Sequence, residues 1–291
     1  MILSETTVQW RGATLSGARG ATLAITSLSG WDDWSAEGGG ERRPQGHGRF
    51  DSAVWSDERV ITLGGRILSA DRDALLATLG REMTPSDGAS PETLTITHAG
   101  VTLTADARVT RYRPDVTAGH WGVGHVPFAI EWRCADPLRY GSLVNAATAF
   151  PSLTGGLEFD LFTDGTADTG WLEFGAQGST GRVVVSNPGT ADTWPQFQVT
   201  GPAPAFTIAC VESGRRLSMP RALSAGEVLL MDSATGIVML NGGDVDYSGL
   251  LTRAEWFPVA RESSCTIALL ADGPLVDSHE ALTVIMRPAW W

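Results

Sequence analysis

The chain has 291 residues, of which 43% are hydrophobic and 19% charged, with 34 glycines, 15 prolines and a formal net charge of −12. That length suggests two domains or one large β domain, with enough apolar residues for real cores and enough glycine and proline for many turns. The acidic balance argues against a surface that grips nucleic acid or an anionic membrane, and no stretch reaches the ~20 apolar residues of a membrane-spanning helix.

All 21 basic residues are arginine, which points to nucleotide bias in the source genome rather than to guanidinium chemistry. Met1 to Glu5 carry neither a basic segment nor an apolar run, so we expect no signal peptide and synthesis in a cytosol. The three cysteines, Cys134, Cys210 and Cys265, are odd in number and far apart. They fit neither a disulfide framework nor a zinc spacing, and read as small buried hydrophobes on strands.

Taken in chain order, Thr7–Trp10 and Ala21–Thr26 read as two strands joined by a glycine-rich turn around Gly17 and Gly20. Residues 36–49 are a polar, glycine-rich loop from which no core can be built. Arg59–Leu68 is a strand with an expected bulge or break at Gly64-Gly65. The only convincing helix follows: Ser69 or Asp71 caps it, Leu75, Leu76 and Leu79 share a face, and Gly80 stands where a C′ glycine belongs. Glu92–His98 and Val101–Ala105 form a hairpin around Ala99-Gly100. Residues 105–113 and 122–133 look like a further strand pair.

Phe128 to Trp132 alternate, with Phe128, Ile130 and Trp132 on one face and Ala129, Glu131 and Arg133 on the other. Pro137 lacks an N–H and biases Asp136 away from helix, so a sheet should end at this corner. Residues 142–181 read as a segment connecting two domains. From Arg182 onward short strands recur at 182–186, 196–200, 205–211, 227–231, 236–240, 254–259, 265–270 and 282–287. Turns such as Asn187-Pro188-Gly189 separate them, in the spacing of a sandwich or barrel.

No motif carries catalysis. Gly122-Val123-Gly124 lacks the strand–loop–helix context of a phosphate loop. His120 and His125 lack a helix that would set them on one face as metal ligands, and His47, His98 and His279 have no partners at ligand spacing. Asn241 to Asp246 alternates oxygen ligands but lacks the later Glu of a calcium loop, and reads as a hairpin turn. No serine lies in a Gly-x-Ser-x-Gly elbow, and the acids Asp32-Asp33 sit in a loop. We therefore expect no catalytic residue, no metal and no cofactor. Of the 11 tryptophans, Trp171, Trp194, Trp256, Trp290 and Trp291 could stack on sugars, but read first as plugs of cores or interfaces.

Three places resemble the distal tail protein (minor tail protein) family of long-tailed phages. One is Arg43-Pro44-Gln45-Gly46-His47-Gly48 followed by Arg59–Arg66 and the helix. Another is the corner Trp132-Arg133-Cys134-Ala135-Asp136-Pro137-Leu138-Arg139-Tyr140. The third runs from Ser186-Asn187-Pro188-Gly189 through Trp194-Pro195 to strands ending at Trp290-Trp291. The resemblance implies an all-β protein with one short helix. Residues 1–141 would be a split-barrel, tail-tube-like ring-forming domain, and residues 142–291 a galectin-like β-sandwich.

It further implies a structural virion protein, not an enzyme, that forms a hexameric ring at the tail tip. The ring would join the tail tube protein to the tail-tip hub and often carry receptor-binding proteins, with DNA only passing through its lumen. A negative inner wall would let DNA pass without retaining it. The competing expectation is a carbohydrate-binding module for host adsorption, since a galectin-like sandwich can bind sugars.

Overall fold

The computed structural model describes residues 3–38, 40–85, 88, 90–117, 119–120, 125–152, 157–158, 173–174, 178–274 and 280–291. The readings placed on Gly122 to Gly124, Trp171 and His279 lie outside them. The chain divides into two compact units: Met1–Ser142 with Trp290–Trp291, and Leu143–Ala289. The terminal tryptophans thus group with the first unit, whereas the sequence reading runs the second domain through residue 291.

The first unit holds β1 (Thr6–Trp10), β2 (Ala13–Ser16), β3 (Leu23–Ser29), β4 (Ala36–Gly38), β5 (Val54–Ser56), β6 (Arg59–Leu68), α1 (Arg72–Glu82), β7 (Glu92–His98), β8 (Val101–Pro114), β9 (His125–Cys134) and β10 (Arg139–Tyr140). The order β8-β7-β1-β2-β3-β6-β9, with β9 pairing back to β8, closes a seven-stranded barrel. Closure pairs the second half of β8 with β9 and leaves its first half an edge, where β10 pairs at Thr104. All neighbours are antiparallel except β2 and β3, which touch in parallel at Ser16 and Ala24.

Alternation fills the barrel. Ile61, Leu63 and Ile67 of β6 and Val126, Phe128, Ile130, Trp132 and Cys134 of β9 are buried, as are Leu94, Ile96, Leu103, Ala105 and Ala107. Trp10 and Trp132 meet inside, ring centroids 6.0 Å apart.

Several local expectations fail for identifiable reasons. β2 intervenes between the first two expected strands, because Arg11 takes a positive φ of 47° and turns the chain straight back. The Gly17 to Gly20 turn therefore joins β2 to β3. β6 runs unbroken as a strand, but the expected bulge does fall at its glycines: the extra residue is on β3, where Ile25 pairs with Gly65 and Ser27 with Gly64. Gly65 is there for space: a Cβ would stand 2.4 Å from the Phe128 ring. Gly80 lies inside α1, whose C-cap is Met83, and Asp71 occupies the N-cap without a side-chain hydrogen bond. The end of α1 is satisfied from β1, since Trp10 Nε1 (3.0 Å) and Arg11 Nη1 (2.9 Å) both donate to the Glu82 carbonyl. β8 is one strand, pairing with β7 over its first half and β9 over its second. The loop at 36–49 contains β4 and an antiparallel bridge between Arg42 and Arg49, which make residues 36–56 a ribbon.

The second unit holds β11 (Val144–Ala149), β12 (Leu157–Glu158), β13 (Glu173–Phe174), β14 (Arg182–Asn187), β15 (Gln196–Thr200), β16 (Phe206–Cys210), β17 (Arg216–Met219), β18 (Val228–Asp232), β19 (Ile237–Leu240), β20 (Arg253–Ala254), β21 (Ser263–Ala271) and β22 (Glu280–Met286). Two five-stranded antiparallel sheets, β11-β22-β15-β18-β19 and β14-β21-β16-β17-β20, enclose one apolar core. Phe197, Val199, Leu229, Met231, Leu282 and Val284 enter it from one sheet, and Phe206, Ile208, Leu217, Ile267 and Leu269 from the other.

β11 corrects the reading of 142–181 as a mere connection, because Val144 to Ala149 pair along β22. The strand expected at 254–259 shrinks to β20; beyond it, Val259 bridges Thr193 instead. Asn241 to Asp246 forms a turn: Asn241 and Gly242 have positive φ, and Asp246 Oδ1 accepts from Val238 N and Ser248 N. A final strand, β23 (Ala289–Trp290), stands at the edge next to β10.

Candidate functional site

Trp132, Asp136, Pro137, Arg139, Tyr140, Trp290 and Trp291 fall in the first unit, and Asn187, Pro188, Gly189, Trp194 and Pro195 in the second. All of the first group but Trp132, which lies in the barrel core, gather around two arginines. β9 stops at Cys134, and Asp136 shapes the corner: its Oδ1 accepts from Leu138 N (2.9 Å) and its Oδ2 from the Tyr140 hydroxyl (2.6 Å). Tyr140 then pairs with Thr104 on β8, so the chain re-enters the sheet edge for two residues.

Arg139 is buried, donates to Asp32 Oδ1 at 2.8 Å and to the Trp291 carbonyl, and sits 5.2 Å above the Trp31 ring. Trp290 packs against the barrel core. Trp291 lies 6.2 Å from the ring of exposed Trp34.

The sequence reading missed the other arginine. Arg59 opens β6 on the same face as Ile61 and Leu63 and is 4% exposed. Its Nε donates to the Pro137 carbonyl (2.7 Å), and its Nη1 to the carbonyls of Gly30 (2.9 Å), Trp31 (2.7 Å) and Asp33 (2.8 Å). Burial, with the nearby Arg139 charge, lowers its pKa from the ordinary arginine value. The guanidinium ties the Asp-Pro corner to the segment that leads into the ribbon. The signal was an ionised residue on the apolar face of an alternating strand, since such a residue is seldom buried without partners.

Beside this knot lies a cavity of about 330 Å³ whose lining includes Asp33, Trp34, Asp57, Glu58, Arg59 and Pro137. Two apolar rings are exposed here: Trp34 of the lining is 60% and Trp55 of the ribbon 74% accessible. Its outer part carries Arg42, Arg43 and Arg49, with Arg43 5.4 Å from the Phe50 ring. The face is therefore acidic at the root of the ribbon and basic toward its tip. Exposed rings of this size mark contact surfaces.

The second group is built on Asn187, fully buried. Its Nδ2 donates to the carbonyls of Ala191 (2.8 Å), Val259 (3.2 Å) and Ala260 (3.3 Å), and its Oδ1 accepts from Gly189 N (3.1 Å) and Ala289 N (3.4 Å). At Gly189 a Cβ would sit 1.9 Å from the Ala289 carbonyl oxygen, so only glycine fits. Pro195 is buried, and its carbonyl accepts from Ser233 N at 3.2 Å. Trp194 is exposed, while Trp256 packs against the core. This arrangement fixes the chain at the end of β14; it presents no paired acid and base.

His120 and His125 stack with ring centroids 5.3 Å apart, and His120 Nδ1 lies 3.1 Å from Asp115. Among the described residues, the only group of ligating side chains drawn together is Cys210, Glu212 and Cys265. No described helix is long and apolar enough to cross a membrane.

Residues 188–271 match the family described as siphovirus-type tail component, C-terminal domain. No curated protein sequence matches the chain. Among solved structures, the Dit protein of phage SPP1, described as a paradigm of the hub adsorption apparatus of phages infecting Gram-positive bacteria, matches with a TM-score of 0.64 at 13% identity. That match covers 98% of this chain and 99% of the other. A chain of the phage P2 baseplate in its activated conformation with Ca matches with a TM-score of 0.50 at 9% identity, over 97% of each chain. Segment 188–271 thus matches the C-terminal domain of siphovirus-type tail components, and the chain as a whole has the fold of the phage hub protein Dit, as the resemblance in its motifs implies.

Proposed function

We propose that this chain is a structural virion protein, with no catalytic role, that forms a hexameric ring at the tail tip of a long-tailed phage. The ring joins the tail tube to the tail-tip hub and carries receptor-binding proteins. The observation that carries the reading is likeness to a hub adsorption protein along 98% of the chain, supported by the family match at 188–271.

The roles divide between the units. The first closes the ring and the second offers a docking surface to neighbouring tip proteins. A ring is built from heterologous contacts, in which one patch of each copy meets a different patch of the next. The first unit offers such a pair: the basic, aromatic ribbon suits the acidic cavity rim at Asp33 and Asp57 of a second copy. Residues of the Arg59–Arg139 knot hold that rim in place.

Native mass spectrometry of the purified chain, alone and with the tail tube protein of the same phage, tests the reading. Six copies per assembly are expected in at least one of the two conditions. A monomer in both, together with glycan-array binding by the chain, would replace the ring with a carbohydrate-binding module.

A further inference from the structure

β16 and β21 bring two sulfurs together in the core of the second unit. Cys210 ends β16 and Cys265 lies near the start of β21, 55 residues later in sequence, yet their Sγ atoms stand 3.0 Å apart. Both are free thiols and both are buried. The register explains the approach. Cys210 pairs with Ile267, so Cys265, two residues before it, points to the same face as the diagonal neighbour. The separation is below the ~3.5–4.0 Å at which two smaller non-bonded carbon atoms sit best. The backbone on both sides is held, with Val211 N donating to the Thr266 carbonyl (2.9 Å) and both oxygens of Glu212 accepting from Thr266 N (2.9 Å).

We propose that Cys210 and Cys265 are a latent cross-link that closes to a disulfide by exchange with a low-molecular-weight disulfide. The Cys210 thiolate attacks the small disulfide and expels one small thiol. The Cys265 thiolate then attacks the Cys210 sulfur of the mixed disulfide and expels the second. One S–S bond breaks and one forms. The two protein sulfurs lose two electrons to the small disulfide, and their two protons end on the two thiols released.

Access comes through the turn that follows Cys210. This turn is closed by Gly214 N to the Cys210 carbonyl (2.9 Å) and Cys210 N to the Arg215 carbonyl (3.0 Å), and its residues are exposed. Opening it uncovers Cys210 first. Burial, reinforced by Cys210 itself, raises the Cys265 thiol above its ordinary range, which suits a resolving partner better than an attacker.

Zinc is the competing occupant, since Glu212 Oε2 lies 3.6 Å from Cys210 Sγ. Two thiolates on a tetrahedral zinc, each at about 2.3 Å, stand roughly 3.8 Å apart. The sulfurs are closer than that, and the Glu212 carboxylate is already engaged by Thr266. Cys134, in the first unit, has its thiol pushed up to about 12 by burial and serves as an internal reference.

The full chain, purified in reductant and chelator, is incubated with oxidised glutathione, denatured, alkylated and mapped by mass spectrometry. We expect Cys134 alkylated, peptides containing Cys210 and Cys265 joined, and a melting temperature raised by about 5–10 °C that dithiothreitol reverses. Alkylation of all three cysteines overturns the proposal. So does a melting rise that persists in Cys265→Ala, because the pair would not be its source. Stoichiometric zinc uptake by the reduced chain that Glu212→Gln abolishes would assign the pair to a metal site instead.

Discussion

Arg59 and Asn187 do the same kind of work in different units. Each is a buried side chain whose donors reach several backbone carbonyls at once. Removing such a group leaves buried carbonyls short of hydrogen bonds, which costs more than the net worth of the bonds themselves. Asn187→Ala should lower stability by about 2–3 kcal/mol in urea unfolding; a loss under about 0.5 kcal/mol would mean that water takes over the freed carbonyls. Two glycines separate backbone freedom from space. Gly80 sits inside α1, and a Cβ there would meet only Tyr112, at 3.7 Å. Gly80→Ala should therefore stabilise by about 0.5–1 kcal/mol. Gly65→Ala should destabilise by about 1–3 kcal/mol, because its methyl would press on the buried Phe128 ring. Both are read from thermal melts, and the two shifts should have opposite signs.

Among elements, the ribbon at 36–56 departs most from what the sequence shows. Its glycines and arginines exclude a core, and correctly so, but composition cannot reveal that β4 and β5 pair and carry Trp55 into solvent. The long strands were legible because one buried face imposes strict alternation, as in Phe128, Ile130 and Trp132. The short strands β2 and β17 were not, since four residues hold little period, whereas the equally short β19 is set off by the turn at Asn241-Gly242. The Asp136-Pro137 corner was visible as a strand stop. Its anchor was not, because Arg59 lies 78 residues from Pro137 in sequence. If the ribbon tip meets the acidic rim of the next copy, replacing Arg42, Arg43 and Arg49 by Glu should weaken assembly about tenfold. Asp57→Arg in the same chain should restore part of it. Analytical ultracentrifugation reads both, and unchanged assembly in the triple variant would remove the ribbon from the contact.

At the scale of the whole molecule, a seven-stranded barrel and a two-sheet sandwich hold most of the described strands; β4 with β5 and β12 with β13 form separate pairs, and β10 and β23 lie at the edge of the barrel sheet. The net charge of −12 suits a ring through which DNA passes, provided the inner wall shares the sign. The family match begins at residue 188, directly after Asn187, the last residue of β14. The chain's place on the virion can be observed directly. Tails from the phage that carries this chain, labelled with gold-conjugated antibody against residues 143–289 and viewed by electron microscopy, should show label only at the distal tip. Label along the tube, at the head end, or absent from intact particles would contradict the account.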